Sequence, residues 1–272
     1  MTERFTVFGA DGFVGKRLVD RLRQLGHSVT AFGRNDEIDL KSVELGHAMY
    51  CVGVTGSRFK TEQFNVVDAH VSSMARVLEF GRYSSFLYMS SARVYEESLT
   101  DCTESARFAV DPSNISDFYN LSKLMGESLI LNAGSSTSRI ARISYAVDFA
   151  EDSTDNVSFF IREALRGSVR FEAAKQSVKD YVVMGDVLDV LPKIALEGRS
   201  QIYNVAGGVN VSTDEIAETL RAATGCTVEF LGTEALRSPR PIDVSRLVSE
   251  FSYRPSLLLE YARRVIAKEL AG

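Results

Sequence analysis

Phe5-Thr6-Val7-Phe8 is a short apolar run that ends on Gly9-Ala10-Asp11-Gly12-Phe13-Val14-Gly15, after which Leu18, Val19, Leu22 and Leu25 recur at helical spacing. Strand, glycine turn and helix in that order give a glycine motif its meaning. Backbone can approach a pyrophosphate only where side chains are absent. The helix start behind the turn offers N–H donors and a partial positive charge. Such a turn can be purely structural, but at the head of an α/β chain it reads as a dinucleotide site, with Gly9, Gly12, Phe13, Val14 and Gly15 against the cofactor.

The pattern then repeats. Gly26 ends the helix and His27 to Phe32 reads as a second strand. Cofactor choice is made where this strand ends: a carboxylate suits the ribose hydroxyls of NAD, an arginine the extra phosphate of NADP. The slot holds Gly33-Arg34-Asn35, with Asp36 and Glu37 past the turn, so NADP(H) is expected, with NAD(H) as the alternative, and Arg34 as the phosphate contact. Asp39 and Leu40 are placed near the adenine. Ala48 to Gly53 reads as a third strand that brings Val52 and Gly53 to the cofactor. A helix is expected over Thr61–Arg82, and Phe86 to Met89 is a fourth strand running into Ser90-Ser91-Ala92-Arg93-Val94-Tyr95. Strands alternating with helices predict an α/β, Rossmann-like doubly wound parallel sheet.

From Tyr119 onward, Leu121, Leu124, Met125, Leu129 and Ile130 keep helical spacing. Tyr119 and Lys123 therefore share one helix face. A free phenol titrates near ~10 and is a poor acid at neutral pH. An ammonium beside it favours the phenolate, so the pair is expected to pass a proton to or from a carbonyl or alcohol oxygen. The bland alternative is an amphipathic helix with both residues at its surface.

The net charge of −5 gives no global attraction to nucleic acid. Cys51, Cys102 and Cys226 have no paired spacing, which argues against a disulfide framework or a zinc site and suits a reducing cytoplasm. His27, His47 and His70 are too dispersed for a metal cluster, so no metal is expected. No apolar run approaches ~18 residues, so no membrane span is expected. The chain opens straight into a strand, without a signal-like segment.

Taken together, the glycine turn, Ser91, Tyr119 and Lys123 resemble the extended short-chain dehydrogenase/reductase family, in its epimerase/dehydratase branch that modifies nucleotide sugars. The likeness runs from Phe5 to about Pro255. It implies that Ser91 binds the sugar oxygen, that Tyr119 is the proton donor or acceptor, and that Lys123 holds the nicotinamide ribose while depressing the phenol. Lys179-Asp180-Tyr181-Val182 resembles the family's Arg-Asp-Tyr-Val segment, and Ile202 to Ala206 its tyrosine-asparagine-valine strand. Arg240-Pro241-Ile242-Asp243 resembles the segment whose arginine grips the substrate diphosphate. Lys179 keeps the charge but loses the bidentate fork, and for it and Arg240 the alternative is a surface salt bridge. Where the family has Arg-x-x-Asn-x-x-Gly-Pro, this chain runs from Arg142 to Phe149, with Tyr145 replacing the asparagine that touches substrate. His70 replaces another asparagine, and Val-Tyr-Gly becomes Val94-Tyr95-Glu96.

The resemblance implies a nucleoside-diphosphate-sugar substrate, a Rossmann domain over 1–150 and a small substrate lobe over 151–272, some of whose segments return to the core. The dehydratase Thr-Asp-Glu is replaced by Ser91-Ala92-Arg93, which argues against dehydration. NADPH-dependent reduction of a 4-keto sugar is expected, with 4-epimerisation through a transient ketone as the alternative and a non-catalytic NADP sensor as a reading of another class. A homodimer through the helices at His70–Arg82 and Tyr119–Ala133 is implied. Tyr95–Ser116 lacks periodicity and reads as a loop over the site. Further on, helices are expected over Asn156–Leu165, Asp186–Leu196, Thr213–Thr224 and Leu257–Leu270, with Ser212 and Glu215 as a capping box.

Overall fold

A computed structural model describes every residue except Asn35, Thr55, 97–100 and 234–239. The chain forms two compact units: 1–97, 108–142 and 188–203 make the first, and 98–107, 143–187 and 204–272 the second. The division falls at Arg142/Ile143, short of the expected 150, and Leu188–Tyr203 returns to the first unit.

The first unit starts with β1 (Arg4–Phe8), α1 (Phe13–Gln24), β2 (Ser28–Phe32) and β3 (Glu44–Tyr50). A helix follows as α2 (Gln63–Val67), a π turn (Asp68–Ser72) and α3 (Ser73–Phe80). Then come β4 (Arg82–Ser91), α4 (Ile115–Asn132) and β5 (Ser138–Ile143). With β9 (Ile202–Val205), these strands form a six-stranded sheet in the order β2-β1-β3-β4-β5-β9. Neighbours β1–β2, β1–β3 and β3–β4 are parallel, with Val7 beside both Ala31 and Met49. Parallel strands covered on both faces read as unbroken apolar runs. Phe86, Leu87, Tyr88 and Met89 are accordingly all buried, as are Phe5, Val7, Ala48 and Met49. Each such large side chain contributes about 1.5–3 kcal/mol. The order reverses at β1, so the crevice beyond the ends of β1 and β3 is where this architecture takes a ligand.

The helix expected over Thr61–Arg82 departs from expectation in two ways. It stops at Phe80, because Arg82 already belongs to β4, and it widens at Asp68–Ser72 into the π turn. A π turn frees carbonyls from their usual partners. Two phenols from the sheet take them up: Tyr50 donates to the Ala69 carbonyl at 2.8 Å and Tyr88 to the His70 carbonyl at 3.1 Å.

The second unit holds β6 (Tyr145–Val147), α5 (Asn156–Leu165), β7 (Ser168–Phe171) and β8 (Val178–Val183). It continues with β10 (Asn210–Ser212), α7 (Thr213–Thr224), β11 (Thr227–Phe230), α8 (Ser245–Phe251) and α9 (Leu258–Ala271); α6 (Met184–Glu197) runs from this unit into the first. Its sheets are β10-β8-β6 and β11-β7. Val157, Ile161, Phe171, Ile216, Leu220 and Ile266 form its core. The capping box at Ser212 and Glu215 is present with both reciprocal bonds. No described helix is long and apolar enough to cross a membrane.

Candidate active site

The glycine turn is built by close backbone approach. Gly9 adopts φ +78°, and its N–H and that of Ala10 donate to the Phe32 carbonyl at 2.8 and 3.0 Å, tying the turn to the end of β2. A side chain at Gly15 would put its Cβ 2.1 Å from the Gly9 carbonyl oxygen, so turn and helix can meet only without one. Gly12 caps α1 with no side-chain bond, which leaves the first-turn N–H groups of Phe13, Val14 and Gly15 to an outside acceptor. This cradle fits the pyrophosphate of a dinucleotide.

At the tip of β2, Arg34 is exposed, as a phosphate contact must be. The sequence suggested no acid here, yet two fold back onto the tip. Asp11 Oδ2 accepts from the Arg34 N–H at 3.2 Å and Asp36 Oδ2 from the Gly33 N–H at 2.7 Å. Asn35 lies outside the described residues. Asp39 is exposed and caps its own turn at Lys41, while Leu40 is half-buried against the core around Phe8 and Tyr50. Val52 is half-buried and Gly53 exposed just past β3.

Ser91 ends β4, and its Oγ accepts from the Arg93 N–H at 3.2 Å, capping the 3-10 turn Ala92–Tyr95. The Ser91 side chain also lies beside the Tyr119 phenol and acts to lower it. Tyr119 is buried on α4 among Val54, Phe59 and Val66. Burial pushes the phenol above its ordinary value, against the lowering effects of Ser91 and Arg93. This corrects the expectation of a phenol depressed by Lys123. The Lys123 ammonium donates to the Met89 carbonyl at 2.9 Å and stands 4.9 Å from the centre of the Tyr88 ring. Burial brings Lys123 itself down to about 7, partly opposed by Glu127 and Cys51. Desolvation outweighs the pairing inferred from spacing.

Further buried groups, given no role in the sequence analysis, surround the site. His70, fully buried in the π turn, accepts from the Val54 N–H through Nε2 at 3.2 Å. Its Nδ1 must therefore carry the proton, which goes to Ser122 Oγ at 2.8 Å, and Ser122 donates in turn to the Tyr119 carbonyl at 2.7 Å. Burial and Lys123 hold the ring neutral, down to about 2. Behind Ser91, Ser90 donates to Glu127 at 2.5 Å, and Glu127 receives Arg142 in a buried pair at 2.6 Å. Arg142 also donates to the Tyr95 hydroxyl at 2.7 Å.

In the second unit, the Lys179 ammonium stands 4.4 Å from the centre of the Tyr145 ring, so two of the positions that depart from the family pattern meet one another. Tyr145 pairs with Tyr181 in the sheet register, their rings 6.0 Å apart. Arg240 is exposed and paired with Asp101 at 2.6 Å. Asp180 is buried and pushed up to about 6 by burial, although it accepts from Ser144 Oγ and the Gly207 and Gly208 N–H groups.

A parallel α/β unit with a glycine cradle at its switch point, a serine beside a buried tyrosine, and a lysine one turn further along the same helix define a nucleotide-dependent class of enzyme. The profile of the NAD dependent epimerase/dehydratase family matches residues 5–206, and the chain belongs to that family. No curated protein matches the chain. Among solved structures, MoeE5 in complex with UDP-glucose and NAD is 20% identical with a TM-score of 0.77, over 99% of this chain and 100% of that one. RMD from Pseudomonas aeruginosa complexed with NADPH is 20% identical with a TM-score of 0.79, over 98% and 99%. UDP-glucose 4-epimerase from Thermotoga maritima with UDP-glucose is 15% identical with a TM-score of 0.80, over 99% and 100%. At these identities the likeness is one of fold.

Proposed function

We propose that the protein interconverts a hydroxyl and a ketone on the sugar of a nucleoside-diphosphate sugar, and that its net reaction is NADPH-dependent reduction of a 4-keto sugar. The observation that carries this is the placing of Ser91 beside the buried Tyr119 phenol at the end of β4, on the same unit as the glycine cradle. A bound nicotinamide supplies the hydride. Tyr119 gives its proton to the sugar oxygen, and Ser91 donates to that oxygen as its charge develops. Gly9, Gly12, Phe13, Val14 and Gly15 would hold the pyrophosphate, Arg34 the ribose phosphate, Asp39 and Leu40 the adenine side, and Lys123 with Val52 and Gly53 the nicotinamide side. Tyr145, Lys179 and Arg240 would meet the substrate.

A second reading is 4-epimerisation with a retained NAD. It is favoured by the Asp11 and Asp36 carboxylates at the β2 tip, which suit ribose hydroxyls and repel a phosphate. Reduction leans on Arg34, epimerisation on the two acids. Incubation with a panel of nucleotide sugars and keto-sugars, following cofactor absorbance and product identity together, separates them. NADPH consumption marks reduction, and a changed sugar at constant absorbance marks epimerisation. No turnover anywhere, with cofactor still bound, points to the non-catalytic binder. The unpaired cysteines support a cytoplasmic setting. The exposed apolar side chains of α2 and α4 support a homodimer.

A further inference from the structure

Charged and polar groups surround the Tyr119 ring from several elements. Ser91 lies beside the phenol at the end of β4. His70 presents its ring edge-on at 5.3 Å from the π turn, and Lys123 follows one turn along α4. Arg93 and Glu96 come from the 3-10 turn after β4. Of the cationic side chains here, Arg93 lies over the face of the Tyr119 ring. His70 is held neutral by its accepted hydrogen bond and its burial, and Lys123 is spent on the Met89 carbonyl.

The Arg93 guanidinium carbon stands 4.7 Å from the centre of the Phe59 ring and 5.4 Å from that of Tyr119. Those two rings are 5.5 Å apart, so one planar cation faces both. Its Nε donates to Glu96 at 3.1 Å, and its side chain is 24% exposed, which leaves the charge only partly screened. A guanidinium over an aromatic face is ordinarily a packing contact. Over a ring that must carry negative charge during the reaction, it becomes an electrostatic one.

We propose that Arg93 is a positioning residue for the proton transfer: acting through Tyr119, its guanidinium is the fixed positive charge that receives the phenolate, and Glu96 sets how much of that charge the phenol feels. The inference rests on Tyr119 being the acid of the reaction proposed above. Arg93 transfers nothing itself. The proton leaves Tyr119 Oη for the substrate oxygen. Removing the cation makes the phenol harder to ionise, and neutralising Glu96 makes it easier. A general loosening of the turn cannot give opposite displacements.

The test uses full-length protein with ring-labelled tyrosine, the Tyr119 signal being assigned by its loss in Tyr119→Phe. Arg93→Gln, Arg93→Lys and Glu96→Gln are titrated by NMR from neutral to alkaline pH. This readout needs no substrate, so failure of the inference and failure of the proposed reaction are distinguishable. The phenol of Arg93→Gln is expected to ionise at higher pH, its phenolate fraction on the rising limb about tenfold lower than in wild type. Glu96→Gln is expected to ionise at lower pH and Arg93→Lys close to wild type. With a substrate in hand, the pH profiles of kcat follow the same order. Midpoints that coincide with wild type in Arg93→Gln and Glu96→Gln, or that move in the same direction, overturn the proposal. Should Arg93→Gln not fold, Glu96→Gln decides alone: a midpoint at or above that of wild type sinks it.

Discussion

Lys123 donates to the carbonyl of Met89 at 2.9 Å, which seats its ammonium against β4 one residue before Ser90. That seat is buried and brings the lysine from an ordinary 10.5 down to about 7. A depressed lysine makes stability depend on pH in a definite sense. Between about 7 and the ordinary value, the unfolded chain binds the proton that the folded chain has given up, so stability rises with pH through that window. Lys123→Met removes this dependence. Urea midpoints measured at about pH 7 and about pH 9 should show wild type gaining on the variant; parallel changes would mean that the lysine is not depressed.

Ser91 lies beside the Tyr119 phenol, and each is expected to act on the same substrate oxygen. Ser91→Ala and Tyr119→Phe should each lower kcat by about 10²–10⁴-fold. Dinucleotide affinity by calorimetry should stay near wild type in Ser91→Ala, whose hydroxyl is assigned to the substrate. A Tyr119→Phe variant with wild-type turnover would remove the phenol from the chemistry.

Glu127 and Arg142 form a pair in which each side chain is 3% exposed. Breaking it leaves one charge buried alone. Glu127→Gln or Arg142→Met should therefore cost about 3–5 kcal/mol, read from urea unfolding, whereas the double change Glu127→Leu with Arg142→Met should recover much of the loss. A double variant no more stable than the worse single one would show that the pair is not acting as a unit.

Phe64 is 91% exposed on α2, with Val67 beside it, while Met125 and Leu129 are exposed on α4. Apolar side chains left in water along two neighbouring helices are the usual mark of a covered face. Sedimentation should find wild type as a dimer and Met125→Glu with Leu129→Glu as a monomer. A wild-type monomer at micromolar concentration would dismiss the interface.

The glycine turn, the helices at Asn156–Leu165 and Thr213–Thr224, and the placing of Tyr119 and Lys123 on one helix were legible because each depends on residues close in the chain. Spacing predicts what lies on one face of a helix. It says nothing about which way a long side chain turns, and Lys123 turns to Met89 because β4 passes there. The π turn escaped because one extra residue hardly disturbs an apolar period, while its cause, the Tyr50 and Tyr88 hydroxyls, comes from two other strands. Asp11 reached the β2 tip across the fold, 23 residues from Arg34, so the absence of an acid next to that arginine was true of the sequence and untrue of the site. The Ser90–Glu127–Arg142–Tyr95 network likewise joins positions with no shared period.

Gly126 lies one turn past Lys123, and a Cβ there would come 2.7 Å from the Tyr88 hydroxyl and 2.8 Å from the His70 carbonyl. How deep Tyr119 sits is thus governed by a methyl group the chain does without. An alanine at 126 would lift the whole rod off its bed and carry the phenol with it, an injury to chemistry inflicted at a spot no reactant ever visits.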